Sequence, residues 1–252
     1  MTAQVQRVAH RGGARLAPEN TLAAFRNALT WPVDAIELDV QMSRDGYAMV
    51  FHDEAVERLT NGKGKLLDLD FSYLRSLNAA AHFPHGWPEP QQIPTLQEVL
   101  DLARSRVQVY LEIKTSQGDG VSRHNIAETI VQAVRAMGML RQVVIISFDW
   151  SVLARVKAVE PLLPIGAIVS KDVWSSYGKH AAEVFVEQVK ALGCDWVDLR
   201  YDLCSDDLPR YFHEQDLKVG LWTVNTLEAM RHFCAIGVDA LTSDRPDLFA
   251  QL

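Results

Sequence analysis

The sequence predicts an α/β protein, a (β/α)8 TIM barrel with a small insertion after an early strand. Apolar runs of strand length alternate with helical segments along nearly all of the 252 residues, the pattern of a closed parallel barrel. No Gly-x-Gly-x-x-Gly follows the first run, which removes the main support for a doubly wound open sheet. Polar residues then gather at the carboxyl ends of the early runs, where barrel enzymes place their chemistry.

Residues 5–9 read as the first strand, delivering His10, and Gly12-Gly13 lets the chain turn tightly. Asn20 or Thr21 caps a helix whose apolar stripe is Leu22, Phe25, Ala28 and Leu29. Residues 34–40 and 47–51 form the second and third strands around an Asp45-Gly46 turn. From 54 to 93 the pattern loosens through Asn61-Gly62-Lys63-Gly64 and a Pro-rich stretch, which reads as an insertion capping the barrel mouth. Thr95-x-x-Glu98 is a capping box that opens the next helix. Strands at 107–113, 143–146, 165–169, 196–199, 218–224 and 240–242 follow. They alternate with helices at 122–137, 150–159, 179–192 and 206–215, and with one opened by Asn225-x-x-Glu228. A single domain over residues 1–252 results.

Composition bounds the function. A hydrophobic share of 48% with 23% charged residues supports a sizeable core and argues against disorder. A net charge of −7 excludes a general nucleic-acid binder, since phosphate-backbone affinity comes from clustered Lys and Arg. Cys194, Cys204 and Cys234 show neither a disulfide framework nor metal-type spacing, which suits a reducing compartment. No apolar run resembles a signal peptide or a membrane span, so the expected location is cytoplasmic.

His10-Arg11, Glu37-Leu38-Asp39, His52-Asp53 and Glu112-Ile113-Lys114 each close a strand-length run. Residues two apart on a strand share a face, so Glu37 pairs with Asp39, and Glu112 with Lys114. Three carboxylates with water are a ligand set for one hard divalent cation, Mg²⁺ or Ca²⁺. Arg11 can grip a phosphate with two hydrogen bonds and Lys114 adds a point charge. His10 and His52 can divide the proton work, one taking a proton from an attacking hydroxyl or water and the other donating to a leaving alkoxide. Each motif alone has a plainer reading as a turn, an ion pair or a helix cap. Their recurrence at four strand ends is what points to a phosphodiester-cleaving site. Elsewhere the plainer reading is preferred: His82 and His85 as exposed loop residues, His124, His180, His213 and His232 as surface or partly buried residues of helical stretches, Asn225 and Ser147-Phe148-Asp149 as caps. Trp222 reads as core filler or as the wall of a glycerol pocket.

Together with Pro18-Glu19-Asn20-Thr21, Asp45-Gly46, Pro94-Thr95-Leu96, Trp222-Thr223-Val224-Asn225 and Gly237-Val238-Asp239, these motifs resemble, in order, the glycerophosphodiester phosphodiesterases. The resemblance is to the cytosolic bacterial type and spans almost the whole chain. It implies His10 and His52 as the acid/base pair, Arg11 and Lys114 as phosphate ligands, and Glu37, Asp39 and Glu112 as ligands of the divalent cation. It further implies a small-molecule glycerophosphodiester substrate, hydrolysed to an alcohol and sn-glycerol 3-phosphate, with a route through a cyclic glycerol phosphate open to the family. Gln41-Met42-Ser43-Arg44 and Thr242-Ser243-Asp244 depart from the family pattern and are expected to lie away from the site. Two alternatives stand beside this reading: a metal-free phosphodiesterase like the phosphatidylinositol-specific phospholipases C, which the three carboxylates disfavour, and a non-catalytic glycerophosphodiester-binding barrel, which the histidine pair disfavours.

Overall fold

The computed structural model describes residues 5–84, 86–115 and 120–252, with backbone alone for 120–125; His85 and the side chain of His124 thus lie outside the described residues. The strands are β1 (Gln6–Ala9), β2 (Ala35–Met42), β3 (Ala48–Val50), β4 (Gln108–Ile113), β5 (Val143–Ser147), β6 (Ile165–Val169), β7 (Trp196–Arg200), β8 (Lys218–Trp222) and β9 (Ala240–Ser243). All of them except β3 pair in parallel, and β1 closes the ring by pairing with both β2 and β9. β3 lies antiparallel on the end of β2, through Val40↔Val50 and Met42↔Ala48. The third predicted strand therefore exists but is no barrel stave. Its Asp-Gly linker permits only a hairpin, because a parallel return needs a crossover of a dozen residues or more.

Around the barrel run α1 (Leu22–Ala28), α3 (Leu96–Ala103), α4 (Gly120–Ala136), α5 (Trp150–Val159), α6 (Lys171–Ser176), α7 (Ala181–Ala191), α8 (Leu208–His213) and α9 (Leu227–Ile236), while α2 (Phe71–Ser76) lies within residues 54–93. Thr21 caps α1, Thr95 and Glu98 make the capping box of α3, and Asp149 caps α5. Thr226, not Asn225, caps α9 by accepting from the N–H of Ala229. Asn225 is thereby released for other work.

Strand alternation sorts side chains between two cores. Ile36, Leu38, Leu111, Ile145, Ala167, Val197, Leu199, Val219 and Leu241 face outward into the main core beneath the helices. Val8, Ala35, Tyr110, Val144, Ile146, Ile168, Trp196 and Ala240 face inward and fill the lower barrel. Residues one or two steps further along those inward rows, Glu37, Asp39, Glu112 and Asp198, are polar and still buried. Residues 54–93 have a small core of their own, Val56, Leu66, Leu74, Leu77 and Ile93 against Met49 and Phe51.

Candidate active site

At the carboxyl ends of the strands a cavity of about 200 Å³ is lined by His10, Arg11, Glu37, His52, Glu112 and Lys114 on one side, and by Ile146, Phe148, Ile168, Asp198, Trp222, Thr223 and Thr242 on the other. Every sequence-predicted site residue except Asp39 lines it. Asp39 lies immediately behind, wholly buried.

The turn after β1 sets the first wall. Arg11 adopts φ 50°, followed by Gly12 at 79° and Gly13 at 90°. A Cβ on Gly12 would approach Ala24 to 2.8 Å, so only glycine lets this turn pack onto α1. The turn aims the backbone N–H of Arg11 at Glu37 Oε2, 2.9 Å away.

Each histidine is held through Nδ1. His10 Nδ1 lies 2.6 Å from Asp244 Oδ1 and His52 Nδ1 2.6 Å from Asp53 Oδ1. Burial disfavours the charge on both aspartates, yet hydrogen bonds from the paired histidine and from Asn225 or Arg58 hold each below the usual carboxylate range. An ionised aspartate accepts, so each Nδ1 carries the proton and each Nε2 is left to exchange protons. Asp244 is itself oriented by Asn225, whose amide donates to Oδ2 at 2.8 Å and whose carbonyl oxygen accepts from the Asp244 N–H at 2.9 Å. The expectation that Thr242-Ser243-Asp244 lies away from the site is thus corrected. Gln41 also matters, donating to the carbonyls of Phe51 and Asp53 at 2.9 and 2.8 Å and fixing the turn that carries His52.

Glu37, Asp39 and Glu112 each place an oxygen within 4.8 Å of the others. Like charges at 4.8 Å repel by about 3–4 kcal/mol at an effective dielectric of ~20. Three such pairs would consume about as much free energy as a whole domain's stability. Arg11 Nε at 3.2 Å from Asp39, with Lys114 Nζ at 3.2 Å from Asp39 and 2.7 Å from Glu112, offsets part of this. Asp39, buried but flanked by Lys114, Arg11 and His52, is held well below the carboxylate range. Glu37 and Glu112 are pushed up by burial and by their carboxylate neighbours. Three acids face two fixed cations, and Asp39 Oδ1 and Glu112 Oε1 are buried without a hydrogen bond of good geometry. An all-oxygen donor set short of one positive charge fits a hard divalent cation.

A further network enters from residues 54–93. Arg58 donates to both oxygens of Asp53, to Glu19 Oε2 at 3.1 Å and to Glu19 Oε1 at 2.8 Å, while Arg11 donates to Glu19 Oε1 at 2.8 Å. One guanidinium therefore braces the supports of both His52 and Arg11. Asn20, at φ 57°, donates to Asp39 Oδ2 at 2.7 Å and fixes that carboxylate from behind. On the far wall Trp222 stands edge-on to Phe148 at 5.6 Å and donates from Nε1 to the Asp198 carbonyl at 3.3 Å. His82 is exposed in the insertion, and His213 and His232 pair with Asp239 and Asp206 on the surface.

A profile of the glycerophosphoryl diester phosphodiesterase family matches residues 10–248. The chain belongs to this family. Among the family's members, a glycerophosphodiester phosphodiesterase of Caldanaerobacter subterraneus subsp. tengcongensis is 31% identical over 97% of this chain and 96% of its own. The crystal structure of a glycerophosphodiester phosphodiesterase from Agrobacterium tumefaciens superposes with a TM-score of 0.81, at 26% identity over 98% of this chain and all of that one. An Oleispira antarctica phosphodiesterase, solved in complex with the product sn-glycerol-3-phosphate, shares the fold at a TM-score of 0.84 and 24% identity, covering 98% of this chain and 96% of that one. Among the described residues no helix is long and apolar enough to cross a membrane.

Proposed function

We propose that the chain hydrolyses glycerophosphodiesters, adding water across one P–O bond to yield an alcohol and sn-glycerol 3-phosphate. The observation that carries this reading is the pair of Nδ1-anchored histidines flanking a cavity whose inner wall is the buried carboxylate triad. Arg11 and Lys114 bind the phosphate oxygens, and their positive charge favours the extra negative charge that develops in the transition state. One histidine accepts the proton of the attacking water or glycerol hydroxyl at Nε2. The other, protonated, gives its Nε2 proton to the departing alkoxide. Trp222 and Phe148 supply the apolar surface for the carbon chain.

Glu37, Asp39 and Glu112 would hold one divalent cation, Mg²⁺ or Ca²⁺. When bound, it polarises the phosphoryl oxygen and neutralises developing charge. The metal-free alternative is disfavoured by the same triad, since buried acids without a cation only cost stability. Residues 54–93 are read as an insertion at the barrel mouth, a role supported by Arg58 reaching Glu19 and Asp53. Three unpaired cysteines suit a reducing compartment, and the cytoplasm is the location proposed.

The test is product identity from glycerophosphocholine. Release of choline with sn-glycerol 3-phosphate is expected. Release of phosphocholine with glycerol would reverse the bond assignment, and no release would overturn the reading for this diester.

A further inference from the structure

Among the described residues, Asp198 is the one acid of the cavity wall that the hydrolytic scheme does not use. It is 6% exposed, it lines the cavity, and among the described residues its carboxyl makes neither a hydrogen bond nor an ion pair; its Oδ1 is fully buried. A buried carboxyl in that condition costs free energy, and nothing in the surrounding packing recovers it. The neighbouring strand has made room for it. Gly220, its register partner on β8, would bring a Cβ to 2.8 Å from Asp198 Oδ1. Any larger residue there would displace the carboxyl.

Its place in the ring says what it meets. In the closed order β1-β2-β4-β5-β6-β7-β8-β9, β7 stands four strands from β2 in either direction. Asp198 on β7 therefore faces Glu37 and Asp39 on β2 across the cavity. Directly below it the barrel is closed by Tyr110, Val144 and Trp196. A closed floor suits the part of the substrate that never changes, the glycerol, whereas the varying alcohol needs the open mouth. With phosphate gripped on the β1 to β4 side and the carbon chain laid along Trp222, the hydroxyl remote from phosphorus is the group that reaches the β7 wall.

We infer that Asp198 hydrogen-bonds the terminal hydroxyl of the glycerol moiety and so selects glycerol diesters over diesters of smaller diols. This rests on the proposed hydrolysis and adds a substrate-recognition residue to it. A site built to hydrogen-bond a substrate hydroxyl rejects the analogue lacking it far more strongly than an apolar pocket does.

The test compares a glycerol phosphodiester with the matching diester of propane-1,2-diol, which lacks only that hydroxyl, in wild type, Asp198→Ala and Asp198→Asn. The expected wild-type preference in kcat/KM is about a hundredfold or more for glycerol. Asp198→Ala should bring the ratio to within about threefold, chiefly by raising KM for the glycerol diester, while Asp198→Asn keeps most of the preference because an amide still bonds a hydroxyl. Binding of sn-glycerol 3-phosphate by calorimetry should weaken about tenfold or more in Asp198→Ala, a readout independent of turnover. An unchanged ratio in Asp198→Ala, or an equal loss on both diesters, overturns the inference, as does a loss that tracks an ammonium-bearing alcohol instead of the glycerol hydroxyl. Wild type inactive on both diesters would instead remove the hydrolytic reading beneath it. Folding is checked by thermal melting; loss of an unpartnered buried carboxyl should leave Tm unchanged or raised.

Discussion

The two halves of the barrel mouth differ in kind. Strands β1 to β4 present two histidines, two cations and three carboxylates, nearly all held by a second polar group behind them. Strands β5 to β8 present Ile146, Phe148, Ile168 and Trp222, with Asp198 as their one carboxyl. In the proposed function the first half carries the bond-making and proton transfer, and the second shapes and dries the space in which they would occur. Asp244 crosses this division: it follows β9, yet it serves the first half by fixing His10.

The sharpest way to break the contrast is at the histidines. His10→Ala or His52→Ala should lower kcat by about 10²–10⁴ while the circular-dichroism spectrum keeps its folded shape. Full activity in either variant would remove that residue from the mechanism. Glu112→Gln should raise the metal concentration for half-maximal activity by about tenfold or more; an unchanged metal titration would exclude Glu112 as a ligand. On the other half, Trp222→Ala should act mainly through KM, by about tenfold, since it removes binding surface equally from ground and transition states. A kcat effect as large as the histidines' would erase the contrast.

The smallest expected effect lies at the closed end of the barrel. Burial opposes ionisation of Asp34, but hydrogen bonds from the side chain and backbone of Arg7 outweigh it and hold the carboxyl below its ordinary value. A depressed folded-state pKa contributes stability that is full above about pH 4 and lost as pH falls through the folded value. Asp34→Asn should therefore cost no more than about 1 kcal/mol at neutral pH, given its partial exposure, and the difference from wild type should vanish in acid. Acid and neutral thermal melts decide it, and kcat should not change.

The charged half was the more legible half. Glu37-Leu38-Asp39 and Glu112-Ile113-Lys114 carry polar residues on alternate positions of otherwise apolar runs, and their recurrence at successive strand ends is what an inward polar face explains. Ile146 and Ile168 carry no such signal in the sequence, because an apolar wall and an apolar core use the same residues. Asp198 had the same alternation signal, two places after inward Trp196, but stood alone in its run. Asp244 was passed over because its partner, His10, is 234 residues away, a pairing that only ring closure between β1 and β9 creates. Asn225 resembled a helix cap because Thr226 beside it is one. Arg58 lay in the insertion, whose irregular backbone offers no period from which to read direction.

The most direct measurement is release of sn-glycerol 3-phosphate from glycerophosphocholine and glycerophosphoethanolamine by the wild-type protein, with Mg²⁺, with Ca²⁺ and with EDTA. The expected result is release that EDTA abolishes and one of the two cations restores. Release indifferent to EDTA would contradict the carboxylate triad as a metal site and leave the chemistry to the histidines and Arg11.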